Sequence, residues 1–163
     1  MSDQRTGPDA PSASPAGGAG TTPPPRGVLA AQLEASFAGT LVERLGMEVL
    51  EAAPTGGVMR MPVAGSTQPA GLLHGGATIA LAESIASIAA LLQAREVHGE
   101  GAQAVGTSVS ALHHRSAREG LVTATCTARH LGRQVASYLV DVHDEAGALL
   151  STITVSTQLL PPR

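Results

Sequence analysis

The chain has no tryptophan and no lysine, and only one phenylalanine, one tyrosine and one cysteine among its 163 residues. With Phe37 and Tyr138 as the whole aromatic set, a base-stacking surface for single-stranded nucleic acid is not expected. Positive charge is also scarce. Ten arginines against thirteen carboxylates leave a net charge of -3, so the positive field that a nucleic acid or an anionic membrane requires is missing. An all-arginine basic set reads as codon bias rather than function. The lone Cys126 forbids an intrachain disulfide and fits a reducing cytoplasm. It also cannot supply the two thiolates of a cysteine-based zinc site. No run of ~18 uninterrupted apolar residues occurs, and no apolar core follows basic residues at the N-terminus. Neither a membrane span nor a secretory signal is expected; the reading is one cytoplasmic domain of ordinary size.

What is present divides the chain in two. Residues 1–26 hold six of the eleven prolines and four glycines, with almost no large apolar side chain. Such a segment cannot offset its ordering entropy by burial, so a disordered tail is expected. A Pro-rich ligand motif is not evident in it. Residues 27–163 read as one globular domain without internal repeats. Val28–Leu45 is expected to form one or two short helices, and 47–52 and 57–63 to form strands joined by the turn Ala53-Pro54-Thr55-Gly56. Gly75–Leu92, rich in Ala, Leu and Ile and free of proline, predicts a long helix. After it, Val122, Ala124, Cys126 and Ala128 alternate with threonines, the period of a half-buried strand. Segments 103–112, 134–143 and 148–159 have similar character. The short links between them imply antiparallel pairing in a meander, and the fold class is α+β.

The long helix is the most informative element. Leu81, Ile85, Ile88 and Leu92 form one stripe, and Gly76, Ile79, Ala80, Glu83, Ser87 and Ala90 lie roughly opposite. One sheet can cover the first stripe, and a second body, such as another subunit, must cover the small-residue face. Glu83 is the outlier. It is either a helix-edge carboxylate that reaches solvent or a catalytic carboxylate in a cleft, and no Arg lies within one turn to pair it. Upstream, His74-Gly75-Gly76 opens the helix, where free N–H groups suit an anion or a developing oxyanion. The plain alternative is a glycine turn with His74 as its cap. Gly75 and Glu83 stand ~12 Å apart along an ideal helix, so spacing alone does not join them in one site. The six histidines show no helical ligand pair, so no metal is expected.

The run Gln68-Pro69-Ala70-Gly71-Leu72-Leu73-His74-Gly75-Gly76, with Leu81-Ala82-Glu83-Ser84 after it, resembles the hotdog-fold acyl-CoA thioesterases. The likeness continues through His113, Arg115-Ser116-Ala117-Arg118-Glu119-Gly120 and His130-Leu131-Gly132-Arg133, and covers residues 28–160. It is nearest the aryl-CoA branch, which includes 1,4-dihydroxy-2-naphthoyl-CoA thioesterase of menaquinone biosynthesis and one type of 4-hydroxybenzoyl-CoA thioesterase. Glu83 in place of the aspartate usual in the related phenylacetyl-CoA branch points the same way.

The resemblance implies a sheet wrapped around the long helix. It also implies a homodimer with active sites between subunits, and further association to a homotetramer. Glu83 would be nucleophile or general base, Gly75 N–H would polarise the thioester carbonyl, and His74 would support that loop. Gln68 would position the thioester or the water, and Ser87 would touch the water or the acyl group. His113, Arg115, Ser116, Arg118 and Arg133 would hold coenzyme A, a role that suits arginine by charge and bidentate geometry. No cofactor beyond the coenzyme A of the substrate is implied. His98, His130 and His143 read as surface or structural, and Cys126 as core. Two other readings share the fold: a non-catalytic acyl-CoA-binding regulatory module, and a hydratase, whose usual His–acid motif is not found here.

Overall fold

The short strand β1 (Glu48–Ala53) and its hairpin partner β2 (Gly56–Pro62) begin the sheet, joined across Pro54 and Thr55. Gly56 sits at φ 142 against the backbone of Cys126, an approach that leaves no room for a Cβ. This computed structural model describes Leu33 and residues 36–163. The expected disordered tail, 1–26, lies outside the described residues, as do 28–32, 34 and 35 of the segment expected to be helical, Val28–Leu45. Within the remainder of that segment, a one-turn helix α1 spans Leu41–Arg44.

The long helix α2 runs Gly75–His98, past the expected end at Leu92. The physical reason lies in 93–98, which contains neither glycine nor proline; the helix stops only at Gly99, whose φ of 88 suits the residue after a helix. Leu81, Ile85 and Ile88 are buried as the stripe predicts, each stabilising by about 1.5–3 kcal/mol relative to exposure. At 24 residues α2 is long and apolar enough to cross a bilayer, but its stripe packs on the sheet, and α2 touches all six strands.

Strands β3 (Gln103–His113), β4 (Leu121–Leu131), β5 (Val135–Asp144) and β6 (Leu149–Leu160) complete an antiparallel sheet of order β1-β2-β4-β5-β6-β3. The alternation in β4 is real: Val122, Ala124 and Cys126 face inward, beside Tyr138, Val140 and Val142 of β5. The Tyr138 hydroxyl, buried in that core, donates to the Pro54 carbonyl at 3.2 Å. Only part of the last four strands forms a simple meander. β3 does not pair with β4; it pairs with β6 at the far edge, so the 114–120 link crosses the end of the sheet. Backbone bonds hold that link in place, from His114 and Arg115 N–H to the Leu150 carbonyl and from Leu73 N–H to the Ala117 carbonyl. One long helix on an antiparallel sheet is the hotdog architecture. On the helix's other side Gly76, Ile79, Ala80, Glu83 and Ser87 remain at least partly exposed, whereas Ala90 is fully buried in this chain's own core.

Candidate active site

The site begins with a tight turn before α2. Gln68 N–H donates to the Leu72 carbonyl and Gly71 N–H to the Gln68 carbonyl, both at 2.8 Å, with Gly71 at φ 72 where glycine is favoured. The Gln68 side-chain oxygen accepts from Ala70 N–H at 3.1 Å, which ties that side chain to its own turn. His74 N–H then donates to the Ser66 carbonyl, anchoring the entrance of the helix.

The first turn of α2 uses up all but one of its early donors. His74 Nδ1 accepts from Gly76 N–H at 2.8 Å, and the His74 carbonyl accepts from Ala77 and Thr78 N–H. Among the described residues only Gly75 N–H in this turn has no acceptor. A helix N-terminus makes such a donor more attractive to an oxyanion. His74 therefore acts as a cap that, by occupying Gly76, leaves Gly75 as the free donor. The capping role of His74 is thus what the structure shows of the two readings the sequence left open.

His113 lies against the same glycine. A Cβ at Gly75 would fall 2.8 Å from His113 Nε2, so the ring lies against the glycine. The ring's other nitrogen, Nδ1, is 2.8 Å from the hydroxyl of buried Ser151 on β6. A cleft of about 460 Å³ opens here, lined by Gln68, Gly75, His113, Arg115 and Ser116 together with the apolar Leu72, Leu73 and Leu150. His114 and Ser151, which strand alternation alone did not single out, also line it. Arg118 hangs over the same turn, its guanidinium 3.9 Å from the Cβ position of Gly71. Among the described residues Arg115 and Arg118 have no ion-pair partner.

The remaining candidates stand apart. Glu83 and Ser87 lie one turn from each other on the open face of α2 and do not line this cleft. Glu83 is half-buried, and among the described residues it makes no hydrogen bond or ion pair; its carboxylate rests against Gly106 of β3. Arg133 lies at the other end of the helix, where its carbonyl is 2.6 Å from His98 Nε2. Within one chain it is therefore remote from the cleft. Among the described residues no group of three or more His, Cys, Asp and Glu could hold a metal ion.

Comparison with known proteins gives a consistent picture. Residues 70–151 match the family described as the Thioesterase superfamily. The chain is 42% identical over 129 residues to the proofreading thioesterase EntH of Cronobacter turicensis, spanning 78% of this chain and 91% of the relative. The Cronobacter sakazakii protein of the same name is 42% identical over 136 residues, with the same shares of each chain. Among solved structures, thioesterase HI1161 from Haemophilus influenzae superposes with TM-score 0.74 at 32% identity, covering 81% of this chain and 90% of that one. A mutant of thioesterase PA1618 from Pseudomonas aeruginosa gives TM-score 0.75 at 32% identity, covering 81% and 94%.

Proposed function

The chain belongs to the Thioesterase superfamily and is a thioesterase, and from that premise we propose that its substrate is an acyl-CoA with an aromatic acyl group. The observation that carries the site assignment is Gly75 N–H, alone in the first helical turn in having no acceptor among the described residues, in a cleft lined in part by Leu72, Leu73 and Leu150. The thioester carbonyl accepts from that donor, so charge developing on its oxygen is met by the N–H and the helix dipole. Glu83 either takes a proton from the water that attacks the carbonyl carbon and returns it to the leaving sulfur, or attacks the carbon itself to give an acyl-Glu83 anhydride that water then hydrolyses. In both routes the C–S bond breaks, water supplies the proton of the coenzyme A thiol, and the free acid is released. Gln68 positions the thioester or the water, and Ser87, one turn from Glu83, touches the water or the acyl group. Arg115, Ser116 and Arg118 take the coenzyme A phosphates, since the two guanidiniums are exposed and unpaired among the described residues. His113, whose ring lies against Gly75, takes the part of coenzyme A nearest the thioester.

The working unit is a homodimer, and dimers pair into a tetramer. Gly75 and Glu83 stand ~12 Å apart along one helix and do not share the cleft. In this reading a second copy lies on the open face of α2 with its Glu83 at the first copy's Gly75, and Arg133 holds part of the coenzyme A. Both EntH relatives are named proofreading thioesterases, which favours wrongly formed thioesters as a second substrate reading.

The test is hydrolysis of a panel of aromatic and aliphatic acyl-CoAs, read by release of free thiol. Glu83→Gln should lower turnover by at least ~100-fold while the melting temperature holds. Mixing Glu83→Gln chains with Gly75→Ala chains should restore roughly a quarter of wild-type activity, because half the dimers carry one intact site in two. No restoration would place donor and carboxylate in the same chain. Aliphatic acyl-CoAs hydrolysed in preference to every aromatic one would overturn the acyl assignment.

A further inference from the structure

Gly106 lies in the interior of β3, where glycine weakens a strand because it orders more backbone and packs no side chain. Its backbone does not ask for glycine: Gly106 is not among the glycines with positive φ. Space does. A Cβ at this position would fall 2.9 Å from Glu83 Oε1 and 3.9 Å from Glu83 Cδ. The ladder breaks at the same point. Gly106 pairs with Thr157 and Ser108 with Ser156, so Thr107 is an extra residue, its hydroxyl bonded to the Ser156 carbonyl at 3.0 Å. A strand-weakening glycine and a bulge thus coincide opposite the one half-buried carboxylate of α2 that has no polar partner among the described residues.

We propose that Gly106 is a positioning residue for Glu83: its bare Cα surface is the seat on which the carboxylate rests, and it sets how far that carboxylate reaches from the helix. The inference rests on the reading of Glu83 as the catalytic carboxylate. An added methyl would meet only the far end of a flexible side chain, so the carboxylate rather than the fold gives way. Stability should barely change. Catalysis should change a good deal, because a displacement of about 1 Å at a reacting group can cost on the order of 100-fold in rate.

The test compares Gly106→Ala and Glu83→Asp, singly and together, for kcat, KM and melting temperature. Gly106→Ala should lower kcat by about 10- to 100-fold with KM within about twofold of wild type. Its melting temperature should stay within about 3 °C. Glu83→Asp withdraws the carboxylate by one methylene, clear of the new methyl. In that background Gly106→Ala should cost little more, a non-additivity expected only of groups in contact. Wild-type kcat in Gly106→Ala overturns the proposal, and so does an equal loss in both backgrounds, which marks general damage to β3. A collapse of the melting temperature overturns it too, since the methyl would then be clashing with the fold. Wild-type turnover in Glu83→Gln would remove the Glu83 reading itself, and the seat with it.

Discussion

Replacing Gly75 with alanine tests the oxyanion assignment without removing the donor. The variant keeps its N–H, and alanine is the better helix former, by up to about 1 kcal/mol. The new Cβ, however, lies 2.8 Å from His113 Nε2 and 3.4 Å from the adjoining ring carbons. The ring cannot slip aside freely, because its Nδ1 is held 2.8 Å from the Ser151 hydroxyl, which is itself buried. Breaking that bond costs about 1 kcal/mol, so helix gain and hydrogen-bond loss nearly cancel. The melting temperature should move by no more than about 5 °C. The methyl also occupies the approach to the N–H from the cleft. Full loss of one oxyanion donor costs about 100- to 1,000-fold in kcat, or ~2.7–4 kcal/mol of barrier, so a methyl that obstructs a donor still in place should cost up to that much. The assay is steady-state thiol release beside thermal melting on one preparation. Wild-type kcat in Gly75→Ala would refute the placement of the thioester oxygen at this N–H. A large loss of melting temperature would show that the His113 displacement propagates into β6 and that the two contributions do not cancel.

Two further perturbations probe the rim and the core. Arg115→Ala and Arg118→Ala should each raise KM for coenzyme A thioesters by about tenfold at low salt, with kcat held. A pantetheine thioester, which lacks the nucleotide, should be indifferent to either change; equal losses on both substrates would remove the phosphate role. Burial pushes the Cys126 thiol up from its ordinary 9.0 to about 12, so the folded protein should resist thiol reagents at mildly alkaline pH. The raised folded-state value means the unfolded chain sheds this proton first. Its stability contribution is full below pH 9 and declines from there toward about 12, a loss that chemical denaturation should find reduced in Cys126→Ala. Rapid labelling of the native thiol would contradict its burial.

Much of this architecture is local and could be read from the order of residues. Helix α2 follows from an Ala/Leu/Ile run without proline, and its start from a histidine before two glycines. The alternation of Val122, Ala124 and Cys126 with threonines states both the strand and its buried face. The family likeness also rests on contiguous motifs, Gln68 to Gly76 with Glu83, and Arg115 to Gly120.

The tertiary structure decided what lies next to what. Nothing local to β3 says that it passes β4 and pairs with β6, yet that choice sends residues 114–120 across the end of the sheet and sets Arg115 and Ser116 beside Gly75. The same register lays His113 on Gly75 and Gly106 on Glu83, and it leaves Arg133 at the opposite end of the helix. Hydrophobic period fixes which face of an element is buried, because burial depends on each residue's own direction. Which strand pairs with which, and in what register, depends on the packing of the whole sheet around one helix, so the neighbours of a catalytic group exist only once the chain has closed.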